Sequence, residues 1–220
     1  MDDTLTLYHC PGACSRVTMN ALEEIGLPYE DQAINIFAGE QHSPEYLAIN
    51  TKGKVPALRV GAHVLAENAA ILYYLHSQYP QGRLLPDASD AVVLNAGLED
   101  VVWCSATLHV LVRQIRMPVR FTSVAPEGVR AMGIERLRPI IEHIASRVAD
   151  SWWYGDRWSI VDVYLYWNYS TAASAGFELP APLLEHGRRV RDRPSFQRAL
   201  QRERSALERH GIRLLPGAQL

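Results

Sequence analysis

An α/β layer on a small mixed sheet, followed by an all-helical region, is the fold class that this sequence predicts. Three observations predict it. Strand-like and helix-like periods alternate through the first eighty residues. The stretch "PQGRLLPDASD" (80–90) has the composition of a linker. Beyond it the apolar periods are helical only, with Pro118, Pro126, Pro180, Pro182 and Pro194 between the segments or at their first turns. The predicted division is a first domain over 1–80, a linker over 81–90 and a helical domain over 91–220.

In chain order, "TLTLYHC" (4–10) reads as a buried strand and "CPGA" as a turn. Over 15–26, Val17, Ala21, Leu22 and Ile25 share one helical face, and Gly26 is a natural C-terminal stop. "YEDQAINI" (29–36) is a second strand. In "SPEYLAIN" (43–50), Ser43 is placed as N-cap and Pro44 at the first helical position. "VPALRV" (55–60) and "HVLA" (63–66) are short strands about the turn "GA". "ENAAILYYLHSQY" (67–79) closes the layer as a helix with Ile71, Leu72 and Leu75 on its apolar side. Helices are then expected over 91–116, 127–149, 159–175, 181–192 and 195–209. The clearest helix start is "WSIVDV", where Ser159 and Asp162 have the spacing of a capping box and Trp158 and Val163 that of a hydrophobic staple. This is a stability device.

The 220 residues carry 22 basic and 24 acidic side chains, a net charge of −2 that gives no global pull toward nucleic acid or anionic membrane. No apolar run reaches membrane-spanning length, and "MDDTLTLYHC" lacks the basic end and long apolar core of a signal peptide. Cys10, Cys14 and Cys104 make an odd count without disulfide-scaffold spacing. The expectation is a cytoplasmic protein in a reducing compartment.

The run "YHCPGACSRV" (8–17) raises the first chemical question. A strand ending in a turn that starts a helix presents backbone N–H groups. Cys14 falls at that start, where the helix dipole favours a thiolate, and Arg16 can add positive charge. Ser15 offers a hydroxyl to the same point, or caps the helix. Against this stands the ordinary reading of free cysteines as small buried fillers. A metal site is disfavoured, because His9 and Cys10 alternate to opposite sheet faces and three ligands are the most that the run supplies.

Two further stretches add binding chemistry. In "KGKVPAL" (52–58), a proline inside a strand-like run sits at an edge, a bulge or a cis turn, and holds Val55 extended. The Val55 backbone is then available to an extended peptide, or is simply an edge strand. In "LAENAAI" (65–71), Glu67 can bind an ammonium, while Asn68 and the helix-start amides can hold a carboxylate. The plain alternative is N-capping by Asn68. Together the three stretches suit one ligand, a γ-glutamyl tripeptide with a central thiol.

Here the chain resembles the cytosolic glutathione transferase superfamily over nearly its whole length. "LYHCPGACS" resembles the "YYSPGACS" start of the bacterial beta class. "GEQHSPEYLAINTKGKVPAL" resembles the "GEHKSPEFLALNPFGQVPAL" run of phi-like enzymes. "LAENAAILYYL" resembles "LTESRAILQYL", and "GDRWSIVDVYL" the capping motif of the helical domain. The resemblance implies a thioredoxin-like N-terminal domain plus an all-α C-terminal domain, with glutathione as cosubstrate on the first and a homodimer as the assembly. Carried over, Val55 pairs with the cysteinyl backbone before a cis Pro56. Glu67 and Asn68 hold the γ-glutamyl group, Gln41 and His42 the glycyl carboxylate, and Lys54 the peptide. Cys14 and Ser15 sit beside the sulfur. His9 replaces a tyrosine of the beta run, and the position of a lysine used by beta enzymes falls near Gly39, so that this contact is expected to be absent. On the helix over 91–116, Trp103, His109, Arg113 and Arg116 recur at roughly helical spacing, and His109 and Arg113 are assigned to a small electrophile. The implied activity is conjugation of glutathione to an aromatic or hydrophobic electrophile, as in detoxification. Two alternatives remain: a glutathione-dependent thiol reductase or lyase using Cys14, and a non-catalytic binding protein on the same fold.

Overall fold

The computed structural model describes residues 4–86 and 91–214. Residues 87–90 of the expected linker and 215–220 of the expected helical domain lie outside the described residues. The sheet has four strands: β1 (Leu5–His9), β2 (Tyr29–Ala33), β3 (Ala57–Val60) and β4 (His63–Ala66). Their order is β2-β1-β3-β4, with β1 parallel to β2 and antiparallel to β3, and β3 antiparallel to β4. The parallel pair is joined by helix α1 (Ser15–Ile25), since a parallel crossover needs a helix-length connection. Every residue of β1 is buried, as expected of a central strand covered on both faces.

Local chemistry sets the boundaries. Gly26 ends α1 at φ 77°, and its N–H returns to the Leu22 carbonyl. Helix α2 (Pro44–Ile49) starts on Ser43, whose hydroxyl accepts the Tyr46 N–H at 3.2 Å. Tyr46 packs edge-on against Tyr8 at 6.0 Å, in a cluster with Ala57 that Ile34, Ile49, Val55 and Val64 surround. On the other side, α1 packs on helix α3 (Asn68–Gln78), burying Val17, Leu22, Ile71, Leu72 and Leu75.

The contacts divide the chain differently from the expected domains. Among the described residues, one unit comprises 4–84 together with 193–214, and the other 85–86 together with 91–192. The last helix, α9 (Pro194–His210), packs on α1 and so belongs with the sheet. Its arginines explain why. Arg198 and Arg202 donate to the Glu23 carboxylate at 2.8 and 2.6 Å, Arg202 also meets Asp31 at 2.8 Å, and Arg193 pairs with Glu24.

The second unit is helical: α4 (Ala91–Trp103), α5 (His109–Arg116), α6 (Pro126–Arg147), α7 (Ile160–Ala173) and α8 (Ala181–Arg191). A π-helical turn over Cys104–Leu108 joins α4 to α5, where the sequence predicts one regular helix. The predicted capping box forms at α7. The fully buried Asp162 accepts the Ser159 N–H at 2.9 Å and the Ser159 hydroxyl at 3.1 Å. It also accepts the Trp153 N–H at 2.8 Å and faces His186 Nε2 at 3.0 Å, and the other His186 nitrogen meets the Tyr169 hydroxyl at 2.9 Å. No described helix is long and apolar enough to cross a membrane.

Candidate active site

The turn between β1 and α1 is built from its own sequence. Pro11 and Gly12 reverse the chain, with Gly12 at φ 76°, a conformation costly for any residue with a Cβ. Ser15 fastens the turn: its fully buried hydroxyl accepts the Cys10 N–H and donates to the Cys10 carbonyl, both at 3.1 Å. That single proton is directed at the Cys10 backbone, which gives Ser15 a role inside the turn. Cys14 precedes α1 without making a side-chain cap. It is the one cysteine of the three that is not buried.

Cys10 is enclosed, and burial pushes its thiol up to about 11. Cys104 is enclosed too, and burial raises its thiol as well. Both match the filler reading of free cysteines. Arg16 also differs from expectation. Its guanidinium is buried and held by Glu203 of α9 at 2.7 and 2.6 Å, so it adds no uncompensated positive charge beside Cys14.

Three stretches converge on Cys14. Its Sγ lies 3.7 Å from the Val55 carbonyl oxygen, which ties the thiol to the strand approach. The Val55-Pro56 peptide is cis, as the resemblance implies. The Asn68 side-chain amide donates to the Cys14 carbonyl at 3.0 Å and accepts the Thr18 hydroxyl at 2.6 Å. So Asn68 does not cap its helix with its side chain; it locks the start of α3 to the start of α1. Glu67 just before it has φ 74°, an uncommon conformation for a non-glycine residue that concentrates at functional sites. Its carboxylate is exposed and meets Lys52 at 3.4 Å.

The segment before Val55 is clamped by residues that sequence reasoning missed. The buried Tyr46 hydroxyl and the Asn50 amide both donate to the Lys54 carbonyl, at 2.7 and 2.8 Å. Burial pushes the Tyr46 phenol up to about 12, so it keeps the proton that it donates. Asn50 also accepts the Lys52 N–H at 3.1 Å, an Asx turn that "NTKG" signals in the sequence. Gly53 packs against the turn carrying Gln41 and His42: a Cβ there would stand 3.0 Å from His42 Nδ1 and 3.1 Å from the Gln41 carbonyl oxygen. Gln41 Oε1 is buried without a hydrogen-bond partner, a polar atom that a ligand could satisfy. The Lys54 side chain is exposed at the same segment.

The first unit thus brings together Cys14, Val55, Asn68 and Glu67, and sets Gln41 and His42 against the segment holding Lys52 and Lys54. His109 and Arg113 belong to the second unit. The His109 ring sits edge-on to Trp167 at 4.6 Å. Arg113 is half-buried on α5. Arg116 donates to the Ser174 hydroxyl, and burial lowers its pKa. Trp103 stacks on Trp153 at 5.8 Å, a packing contact.

The family model described as glutathione S-transferase, N-terminal domain, matches residues 3–77. A maleylacetoacetate isomerase of Pseudomonas aeruginosa is 32% identical over 198 residues, covering 81% of this chain and 87% of that one. The chain belongs to the glutathione transferase superfamily. A zeta-class glutathione S-transferase of Euphorbia esula is 45% identical over 83 residues, which span 37% of each chain. Among solved structures, a Sulfitobacter glutathione transferase homolog with bound glutathione superposes with a TM-score of 0.80 at 27% identity, covering 90% of this chain and 98% of that one. The thioredoxin-like domain and the helical remainder predicted from the sequence are those of this superfamily.

Proposed function

We propose that this chain is a glutathione-dependent enzyme that presents the glutathione thiolate to a small electrophile. The observation that carries the reading is the placement of the partly exposed Cys14 thiol 3.7 Å from the Val55 carbonyl, beside a helix start joined to it through Asn68. In this reading the Val55 backbone pairs with the cysteinyl unit of glutathione. Glu67 takes the γ-glutamyl ammonium, in place of Lys52. Gln41 and His42 take the glycyl carboxylate, and Lys54 contacts the peptide. Cys14 stands beside the sulfur, with its thiol donating to the glutathione thiolate. The N–H groups at the start of α1 add positive potential there. Ser15 acts by holding Cys10 and the turn.

Conjugation requires only attack of the thiolate on carbon and departure of a leaving group. The Pseudomonas relative favours a second reading, a glutathione-dependent isomerase of an unsaturated acid. There the thiolate adds to a conjugated carbon, and the same sulfur departs after bond rotation, returning glutathione unchanged. His109 and Arg113 remain the proposed electrophile-side residues, Arg113 suiting an anionic group. The family resemblance supports a homodimer in the cytoplasm, and the beta-like "CPGACS" turn supports a site centred on cysteine.

The test is retention on immobilised glutathione, followed by two assays: conjugation of an aryl halide, and cis–trans isomerisation of an unsaturated diacid. Retention with loss of both activities in Cys14→Ala supports the reading. Failure to bind glutathione overturns it, and binding without turnover assigns the chain to non-catalytic relatives. Reduction of a low-molecular-weight disulfide other than glutathione disulfide, with glutathione as reductant and dependent on Cys14, with conjugation intact in Cys14→Ser, assigns it to thiol exchange.

A further inference from the structure

The turn that carries Cys14 is held from the far end of the chain. Glu203, on the penultimate turn of α9 and fully buried, accepts the Gly12 N–H on Oε1 at 3.0 Å. Its Oε2 takes both the Nε and a terminal nitrogen of Arg16, at 2.7 and 2.6 Å. Gly12 stands two residues before Cys14 and Arg16 two residues after it. One carboxylate therefore grips the turn on both sides of the thiol. A buried charge pair is costly unless its geometry is good, and here the Arg16 Nε and Gly12 N–H both donate to the carboxylate while the second Arg16 nitrogen lies in close ionic contact with it. The field of Glu203 already reaches the neighbouring Cys10 thiol, where it opposes ionisation.

We propose that Glu203 is a positioning residue for the Cys14 turn: it fixes the Gly12 backbone and cancels the charge of Arg16, so that helix α9 governs how readily the Cys14 thiol ionises. Other charged or titratable groups on elements that meet this turn include Glu40, whose field also opposes ionisation of Cys10, His9 paired with Asp31 at the end of β1, Arg202, Arg204 and Glu208 on α9, Glu67 at the start of α3, and Lys52 and Lys54 before β3. Glu67 and Lys52 are exposed and paired with each other, and Lys54 is exposed to screening solvent. The Arg16–Glu203 pair is buried and directly holds the turn. With both members present, ionisation of Cys14 depends on the α1 amides. Remove either member and the other acts on the sulfur unopposed, with opposite signs.

The proposal rests on Cys14 being the working thiol, but its test does not pass through glutathione. The rate of Cys14 alkylation by iodoacetamide is followed against pH in the full chain without glutathione, with Cys14→Ser as the blank for the two buried thiols. Glu203→Gln keeps an acceptor for Gly12 and leaves Arg16 charged, so the midpoint of the profile moves to lower pH, by about one unit for a nearby half-screened charge. Arg16→Met leaves Glu203 charged and moves the midpoint up by a similar amount. The double variant returns it to the wild-type position. Circular dichroism of each variant verifies the fold, and a variant that does not fold is replaced by Glu203→Met or Arg16→Gln. Unchanged midpoints, or shifts in one common direction, overturn the proposal. Loss of glutathione binding in otherwise shifted variants leaves it standing and bears only on the functional reading.

Discussion

Two helix starts in this molecule use opposite designs. The start of α7 is closed by neighbours in sequence: Ser159 and Asp162 satisfy each other, and the remaining Asp162 oxygen is taken by Trp153 and His186. The start of α1 has no such box. Its nearest hydroxyl, on Ser15, turns back to Cys10, and its support comes from far along the chain: Val55, Asn68 and Glu203. A helix start saturated by its own side chains can only stabilise. One held by distant groups around a partly exposed thiol keeps its positive potential for chemistry.

Substitutions that break this contrast should differ in kind. The largest stability effect belongs to α7. Asp162→Ala leaves the Ser159, Trp153 and His186 donors without their acceptor in a dry interior, and should cost about 3–5 kcal/mol in urea unfolding. Next comes the ionic hold of α9 on the sheet. His9 at 3.3 Å, with Arg202, keeps the mostly buried Asp31 carboxyl down at about 2, against an ordinary 3.8. The folded-state value is depressed, so this contribution is complete above pH ~4 and is lost as pH falls through about 2. Its size is about 2 kcal/mol. Asp31→Asn should flatten that acid limb of the stability profile while leaving the α7 box untouched.

Asn68→Ala removes the bonds to Cys14 and Thr18 and should cost about 1–2 kcal/mol. Unlike Asp162→Ala, it should also weaken retention on immobilised glutathione, a loss read from the glutathione needed for half-elution. The smallest stability effect is predicted at the thiol itself. Cys14→Ser should change the unfolding free energy by less than about 0.5 kcal/mol, as a partly exposed group whose contact to the Val55 carbonyl is long. Its effect should appear in turnover.

The sequence disclosed what neighbours determine. Ser43 with Pro44, Gly26 after an apolar helical face, and Ser159 with Asp162 each set an element boundary through contacts within four residues, so local spelling was enough. The cysteine-bearing turn, the Val55-Pro56 edge and the Glu67-Asn68 helix start were legible as chemistry for the same reason. What stayed hidden depends on packing between distant segments. Nothing near Glu203 distinguishes it from the other charges of an arginine-rich helix, yet its burial against Gly12 and Arg16 reassigns α9 to the first unit. Arg16 looks like a local positive charge until that partner is seen. Asn68 reads as a cap because its reach to α1 has no sequence signature, and the π turn at Cys104–Leu108 leaves the apolar period of its helix unbroken.

The central claim is that glutathione lies on the first unit with its sulfur beside Cys14. A crystal structure of the chain with glutathione tests it most directly. The account predicts the ligand sulfur within ~4 Å of Cys14 Sγ, with the cysteinyl backbone paired to Val55 and the γ-glutamyl ammonium on Glu67. A sulfur resting on another side chain, with Cys14 still turned to the Val55 carbonyl, would contradict it.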